Sequence, residues 1–426
     1  MDGGEWFRMR LRTVLTMDVS LARWLVSADA EPVLAAASLR KLCEPDQAAA
    51  ALTQAALRAR ARAKFGDRAE TLFLTSDGLQ QATRAPVARW RAERFAAAGV
   101  RSVLDVGCGL GSDALAFADA GLTVTGIEAD PVTAVFAQAN LGDRGRVVCG
   151  RAEDLADSLL ESGDNGTGIA PDENQAGETE GLLGRDGSSG VGVFVDPARR
   201  DARGRSWRIE DLSPSWEFAT RLLHGRFGCL KAGPGLDQSH LFGQEALWVS
   251  ESGDLVELSL WTDGTGVPGT TRAAVLLPSG DRMDVDPSPS KTGPVGAVLY
   301  EPDPAVIRSG GTDTLAARLG AHRLAAGIAY LSADEAVETP FATAFEVLDI
   351  LPHDEKALRT WTRANAVGAL EIKTRGLGVD PAVLRRRLRP SGRASATLVL
   401  TPTTLGARAL VVRRLRKNQD HPWHSV

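Results

Sequence analysis

Residues 103–113 read VLDVGCGLGSD. A short apolar run, interrupted by Asp105, ends in Gly107, Gly109 and Gly111, and the helix-like stretch DALAFADAG follows. The pattern predicts a strand, a tight turn and a helix, with glycine wherever the backbone turns sharply or is closely approached. Its spacing is G-x-G-x-G. Ser112 stands where the dinucleotide fingerprint G-x-G-x-x-G would place its third glycine, which disfavours that binding mode. Asp105 argues the same way, because a carboxylate two residues before the first glycine repels a pyrophosphate and attracts an ammonium or sulfonium cation. Seventeen residues beyond Gly111, the apolar run TVTGIE ends in Glu128, where a carboxylate can accept hydrogen bonds from both hydroxyls of a ribose. The pattern suits a nucleoside that also carries positive charge.

Working outward from this turn, VLDV, TVTGIEAD, PVTAVFAQANLG, RVVCG, VGVFVDP, SWEFATRLLHG and FGCLKAG alternate strand-like and helix-like segments. Such alternation predicts an α/β domain built on a parallel sheet, over residues 99–295. Residues 161–190 interrupt it with eight glycines, seven acids and one base, the composition of a disordered acidic insertion. EALWVS and LVELSLW flank the turn ESGD and read as an antiparallel hairpin, and residues 263–293 read as a loop or irregular hairpin. Before the sheet, Ala-, Leu- and Arg-rich segments at helical spacing predict an α-helical N-terminal module over 1–98. After a connecting segment, 296–340, residues 341–417 alternate strand, helix, strand, helix, strand, strand, an α+β pattern of ferredoxin-like kind, and 418–426 form a tail.

Composition narrows the class. A chain of 426 residues with 43% hydrophobic and 24% charged residues is an ordinary globular protein of several domains. Neither a signal peptide nor a run long enough to span a membrane is legible, and four scattered cysteines suit a reducing compartment, so a cytoplasmic protein without membrane attachment is expected. The six histidines show no ligand spacing, and no metal is expected.

The glycine turn with Asp105 and Glu128 closely resembles motif I and the acidic end of the second strand in class I methyltransferases that use S-adenosylmethionine (SAM), over about residues 100–262. The resemblance implies a Rossmann-like sheet and SAM as cofactor, bound by Asp105, Gly107, Gly109, Gly111 and Glu128. In GRAEDL, Glu153 and Asp154 are candidates for the adenine edge or for helix capping, although Arg151 stands where many family members carry an acid. At the end of the fourth strand, FVDPARRDARGRSW supplies Asp196 and Pro197, where amine methyltransferases read Asp or Asn, Pro, Pro, aromatic. Ala198 and Arg199 depart from that pattern, leaving a stacking face to Trp207 or Trp216. Uracil C5 methyltransferases have a similar motif but need a nucleophilic cysteine; Cys229, inside an apolar strand, reads as core. Arg199, Arg200, Arg203, Arg205 and Arg208 suit phosphate binding or a solvated loop.

DPARRD, LKAGPGLDQ, ALWVSESGDLVELSLW, EIKTRGLGVDPAVLRRRLRPSG and the earlier LQQATRAPVARWRAERF together resemble a bacterial family of class I SAM-dependent methyltransferases with a C-terminal THUMP-like domain. By analogy the THUMP-like domain implies RNA. Residues 368–417 hold twelve basic residues against Glu371 and Asp380, a local charge of +10 in a chain of net charge −5. Such a patch suits nucleic-acid backbone, with Lys373, Arg375 and Arg386 as candidate contacts, or else a solvated face. The expectation is therefore methyl transfer to RNA, tRNA or rRNA, by direct in-line attack, with Asp196 and Pro197 at the reacting end. A protein or small-molecule methyltransferase, or a non-catalytic RNA-binding protein with a relic SAM fold, remains open at this stage.

Overall fold

The computed structural model describes residues 41, 44–161, 190–199, 209–264, 270–286, 288–289 and 291–415. They form two compact units, the first within 1–232 and 260–268, the second within 233–259 and 269–426.

The first unit opens with helices α1 (Pro45–Phe65), α2 (Ser76–Gln81) and α3 (Ala85–Ala97), proline setting the start of α1 and α3. Then come β1 (Ser102–Val106), α4 (Ser112–Asp119), β2 (Thr123–Glu128), α5 (Pro131–Leu141), β3 (Gly145–Cys149), α6 (Ala152–Glu161) and β4 (Val191–Val195). A small antiparallel pair, β5 (Ala198–Arg199) with β6 (Leu212–Ser213), precedes α7 (Trp216–Leu223) and β7 (Phe227–Ala232). These strands lie in the order β7-β4-β1-β2-β3. All four pairs of neighbours among them are parallel, with Asp105 of β1 beside Gly126 of β2 and Phe194 of β4. All five β1 residues are buried, as expected of a central strand covered on both faces.

The helical stretch expected as a separate module belongs, from Pro45 onward, to the same compact unit as this sheet. The reason is aromatic packing: the fully buried Phe95 of α3 lies 5.0 Å from Phe117, 5.2 Å from Phe227 and 5.5 Å from Trp261, ring to ring. Most of the expected acidic insertion, 162–189, lies outside the described residues, as do 1–40 of the N-terminus and 416–426.

The second unit begins with β8 (Glu245–Glu251), and β9 (Asp254–Asp263) starts in it and ends in the first unit. Ser252 and Gly253 join the two with positive φ at both positions, the backbone a two-residue hairpin requires, so the hairpin read from the sequence is present. Residues 263–293 are more regular than a loop. They hold β10 (Thr271–Leu277), parallel to β8, and β11 (Asp281–Asp284), antiparallel to β10.

A seven-stranded sheet follows. It takes β12 (Val298–Pro302), β13 (His322–Arg323) and β14 (Leu331–Ala333) from the expected connecting segment, where α8 (Pro304–Ser309) and α9 (Thr312–Arg318) also lie. Val298 to Pro302 pair antiparallel with Ala342 to Glu346, which makes 296–340 part of the sheet. The remainder is β15 (Ala342–Pro352), α10 (Glu355–Ala364), β16 (Val367–Thr374), α11 (Pro381–Leu388), β17 (Ala394–Thr403) and β18 (Gly406–Arg414). The expected sequence of elements is thus present. Its strand order, β15-β18-β17-β16 with β16 parallel to β17, makes a mixed sheet, whereas a ferredoxin-like split pairs its strands differently. Leu358 of α10 and Leu384 and Leu388 of α11 cover one face, against Ile372, Leu398 and Val411.

Candidate active site

The glycine turn leaves β1 with positive φ at Gly107, Gly109 and Gly111. The Gly107 and Cys108 N–H groups both donate to the Ile127 carbonyl, at 2.9 and 3.0 Å, which ties the turn to the end of β2. A Cβ on Gly107 would meet the Asp196 carbonyl oxygen at 2.6 Å, so this position admits only glycine. Around Gly109 the space within 4 Å of a Cβ is empty. Glu128 is fixed at the rim: Oε2 accepts from the Gly109 N–H at 3.0 Å and Oε1 from the Asp130 N–H at 2.8 Å. Burial pushes its carboxyl up, against the pull of those two N–H groups.

Beneath the turn lies Asp105, fully buried, with neither carboxylate oxygen meeting a hydrogen-bond partner among the described residues. Burial pushes its pKa well above the usual carboxylate range, and the carboxylates of Asp113 and Asp196 push it further, against Arg91 and Lys231. An unsatisfied buried carboxylate is costly, and a cationic ligand group is what it lacks. Arg91, from α3, is fully buried; it pairs with Asp113 at the start of α4, and its guanidinium lies 4.4 Å from the Phe194 ring centre.

Asp196 follows β4, its own N–H donating to the Val106 carbonyl at 2.9 Å. Lys231 of β7 donates to Asp196 Oδ2 at 2.7 Å and to Thr83 Oγ1 at 3.0 Å, Thr83 preceding α3. Among the described residues Oδ1 of Asp196 receives no hydrogen bond. Burial raises the Asp196 pKa while the Lys231 ammonium lowers it. Behind them Lys64 of α1 donates to the carbonyls of Leu79, Gln80 and Ala82, and burial with the neighbouring Lys231 and Arg84 charges lowers its pKa to about 8.

The structure thus brings together Asp105, Gly107, Gly109, Gly111, Glu128, Asp196 and the buried Pro197. Glu153 and Asp154 sit in the first turn of α6, where acids favour the helix start, with Arg151 3.6 Å from Glu153. Arg199 is placed through its backbone pairing with Leu212, its side chain lying outside the described residues together with Arg200, Arg203, Arg205, Trp207 and Arg208. Cys229 is buried in β7, as its apolar surroundings imply.

In the second unit, two of the three expected basic contacts are internally engaged. Lys373 pairs with Glu301 at 2.6 Å, and the Arg375 guanidinium lies 5.5 Å from the Tyr330 ring centre. Arg386 is exposed on α11, as are Arg385, Arg387, Arg389 and Arg393 nearby.

Sequence reasoning missed Thr83, Arg91, Asp113 and Lys231. Two of them carried a signal. Lys231 interrupts an otherwise apolar strand, and Arg91 occupies the stripe shared by Val87, Ala88, Ala92 and Phe95.

This geometry agrees with the similarities of the chain. A relative described as an uncharacterized S-adenosylmethionine-dependent methyltransferase of Mycobacterium tuberculosis (strain CDC 1551 / Oshkosh) is 33% identical over 364 residues, 83% of this chain and 92% of its own length. Its counterpart in strain ATCC 25618 / H37Rv matches to the same extent. The chain belongs to the S-adenosylmethionine-dependent methyltransferases. Residues 104–163 match the family described as methyltransferase domain, and 342–414 the family described as THUMP domain-like. In fold, this methyltransferase is similar to a crystal structure described as a candidate methyltransferase from Porphyromonas gingivalis W83, at TM-score 0.72 and 22% identity over 93% of this chain and 98% of that one. SAM is its cofactor, and the bare Asp105 carboxylate with the empty space at Gly109 fits that molecule. Among the described residues no helix is long and apolar enough to cross a membrane.

Proposed function

We propose that this methyltransferase modifies RNA, tRNA or rRNA, at a group carrying a proton. The observation that carries the RNA reading is the row of exposed arginines at 385, 386, 387, 389 and 393, inside the THUMP-like residues. Guanidinium groups of this density match phosphate oxygens, and among the described residues Arg387 alone of the five approaches an acid, Glu355 at 3.6 Å. RNA backbone contacts fall on α11 and the loop after it; Lys373 and Arg375 hold the sheet.

SAM supplies a sulfonium-bound methyl group. Asp105 takes its ammonium, the turn Gly107 to Gly111 lets the backbone approach it, and Glu128 accepts its ribose hydroxyls through lone pairs left over from the Gly109 and Asp130 N–H groups. Glu153 and Asp154 flank the adenine side. Asp196 presents Oδ1 to the acceptor group, aims its lone pair at the methyl and receives its proton, while Pro197 stiffens the turn behind it. Arg199, Arg200 and Trp207, whose side chains lie outside the described residues, stay candidate contacts to the acceptor on sequence grounds.

The test is transfer of labelled methyl from SAM to total RNA of a strain lacking the gene. Label in one RNA size class, absent with Asp196→Ala, is expected. Label that appears only in protein or small molecules would refute the RNA reading.

A further inference from the structure

Asp196 alone is a poor acceptor. Burial favours its protonated form, and so does the Asp113 carboxylate from α4; Asp105 from β1, whose own pKa Asp196 raises, lies nearby. Facing them are Arg91 from α3, which is already committed to Asp113, and Lys231 from β7, whose ammonium touches Asp196 itself. Lys64 from α1 adds positive charge behind Lys231 and donates to three carbonyls of the segment that leads to Thr83. The Lys231 ammonium is therefore held from two sides, at 2.7 Å by Asp196 and at 3.0 Å by Thr83, and both side chains of the ion pair are only partly exposed, 17% for Lys231 and 28% for Asp196.

From this we infer that Lys231, anchored by Thr83, is a positioning residue for methyl transfer: it occupies Oδ2 of Asp196 and thereby fixes Oδ1 as the ionised acceptor facing the substrate. The inference deepens the proposed reaction and rests on Asp196 acting there. In the transfer the acceptor's lone pair forms the new bond to the methyl carbon, and the sulfur keeps the electron pair of the bond that breaks. The acceptor's proton moves to Oδ1 and then to water. Lys231 gives up no proton in this sequence; its charge keeps Asp196 ionised, so that Oδ1 is unprotonated and receives a proton as the acceptor becomes acidic. A threonine from the segment between α2 and α3, outside the sheet, thus completes the site, which gives the N-terminal helical region a part in the chemistry.

The experiment uses the full chain, with labelled methyl from SAM and a whole extract of cells lacking the protein, separated afterwards into RNA, protein and small-molecule fractions. Initial rates are followed against pH for wild type, Lys231→Met, Lys231→Arg and Thr83→Val, while SAM binding certifies that each is folded. In parallel, carbon-13 NMR of aspartate-labelled protein follows the Asp196 carboxyl, identified by its loss in Asp196→Asn. Lys231→Met is expected to move both the carboxyl titration and the acid limb of the rate profile upward by about one to three pH units, the shift that an adjacent opposite charge produces. Lys231→Arg restores both towards wild type, and Thr83→Val lowers the rate severalfold with SAM affinity unchanged.

An unmoved titration in Lys231→Met overturns the inference, and so does a moved titration with an unmoved rate profile, which would make the ion pair a structural contact only. Label outside the RNA fraction overturns the RNA reading yet leaves the pH profile to decide on Lys231. Label in no fraction overturns both.

Discussion

Asp105 shows how a single residue trades stability for binding. Its carboxyl is fully buried without a hydrogen-bond partner among the described residues, and its pKa in the folded chain lies well above the ordinary value of 3.8. Above that ordinary value the unfolded chain releases the proton while the folded chain retains it. The stability contributed by Asp105 is therefore intact below about pH 4 and falls as pH rises towards the raised value. Asp105→Asn removes this loss. Thermal unfolding without SAM, from pH 4 to 8, is expected to show the variant gaining on wild type as pH rises. The same variant loses a charge-assisted contact worth about 1.5–3 kcal/mol, roughly ten- to a hundredfold in SAM affinity. Calorimetry with SAM checks that loss, and an unchanged affinity would remove Asp105 from the cofactor site. Two residues further on, where the turn begins, Gly107→Ala would drive a methyl group against the Asp196 carbonyl oxygen, 2.6 Å from its ideal Cβ, at a φ of 79°. The strain falls on the contact between the glycine turn and β4. SAM affinity is expected to drop by about tenfold or more, since positive φ at a non-glycine residue costs on the order of 1–2 kcal/mol before the collision is counted.

At the scale of elements, α3 is bound into the first unit by two kinds of contact: the ring cluster about Phe95 and the buried Arg91 pair with Asp113. Replacing Arg91 by Met leaves Asp113 uncompensated in the interior, which costs about 3–5 kcal/mol. Urea unfolding should show a fall in unfolding free energy of that size, and a loss below about 1 kcal/mol would mean that Asp113 finds another partner or water. This pair also marks the limit of what the sequence discloses. The glycine turn, its strand and helix, Glu128 and Asp196 were legible because their signals are local: an apolar run, glycine spacing, an acid at a strand end. The hairpin at Ser252 and Gly253 was legible for the same reason. Arg91, Thr83 and Lys231 act across long separations, Lys231 reaching Thr83 at 148 residues' distance along the chain, and no local pattern encodes such a pairing. The strand character of 296–340 was obscured by short strands of two to five residues, too brief for alternation to register, and the place of β12 depends on a partner, β15, some forty residues downstream. A parallel β16 and β17 were equally hidden, since the run of elements alone does not fix which strands become neighbours.

Across the whole molecule, charge is distributed unevenly: a chain of net charge −5 concentrates +10 in residues 368–417. Not all of that charge is available to a polyanion, because Lys373 and Arg413 are paired with Glu301 and Glu346. What remains most open is the stretch from Arg385 to Arg393, and on the RNA reading its contribution is measurable apart from catalysis. Each phosphate contact releases counterions, and removing one lowers the slope of log affinity against log salt by about 0.7 for a single strand and about 0.9 for a duplex. Replacing Arg385, Arg386 and Arg393 together by Ala should therefore flatten that slope by about two to three, weaken RNA of every sequence alike, and reduce methyl transfer at subsaturating RNA most at low salt, where the lost contacts contribute most. SAM affinity should be unchanged, since Asp105, the glycine turn and Glu128 lie in the other unit. A slope identical to that of wild type would make these arginines a solvated face. The substrate would then have to be recognised beside Asp196 itself, where Lys231, Lys64 and Arg84 already gather positive charge.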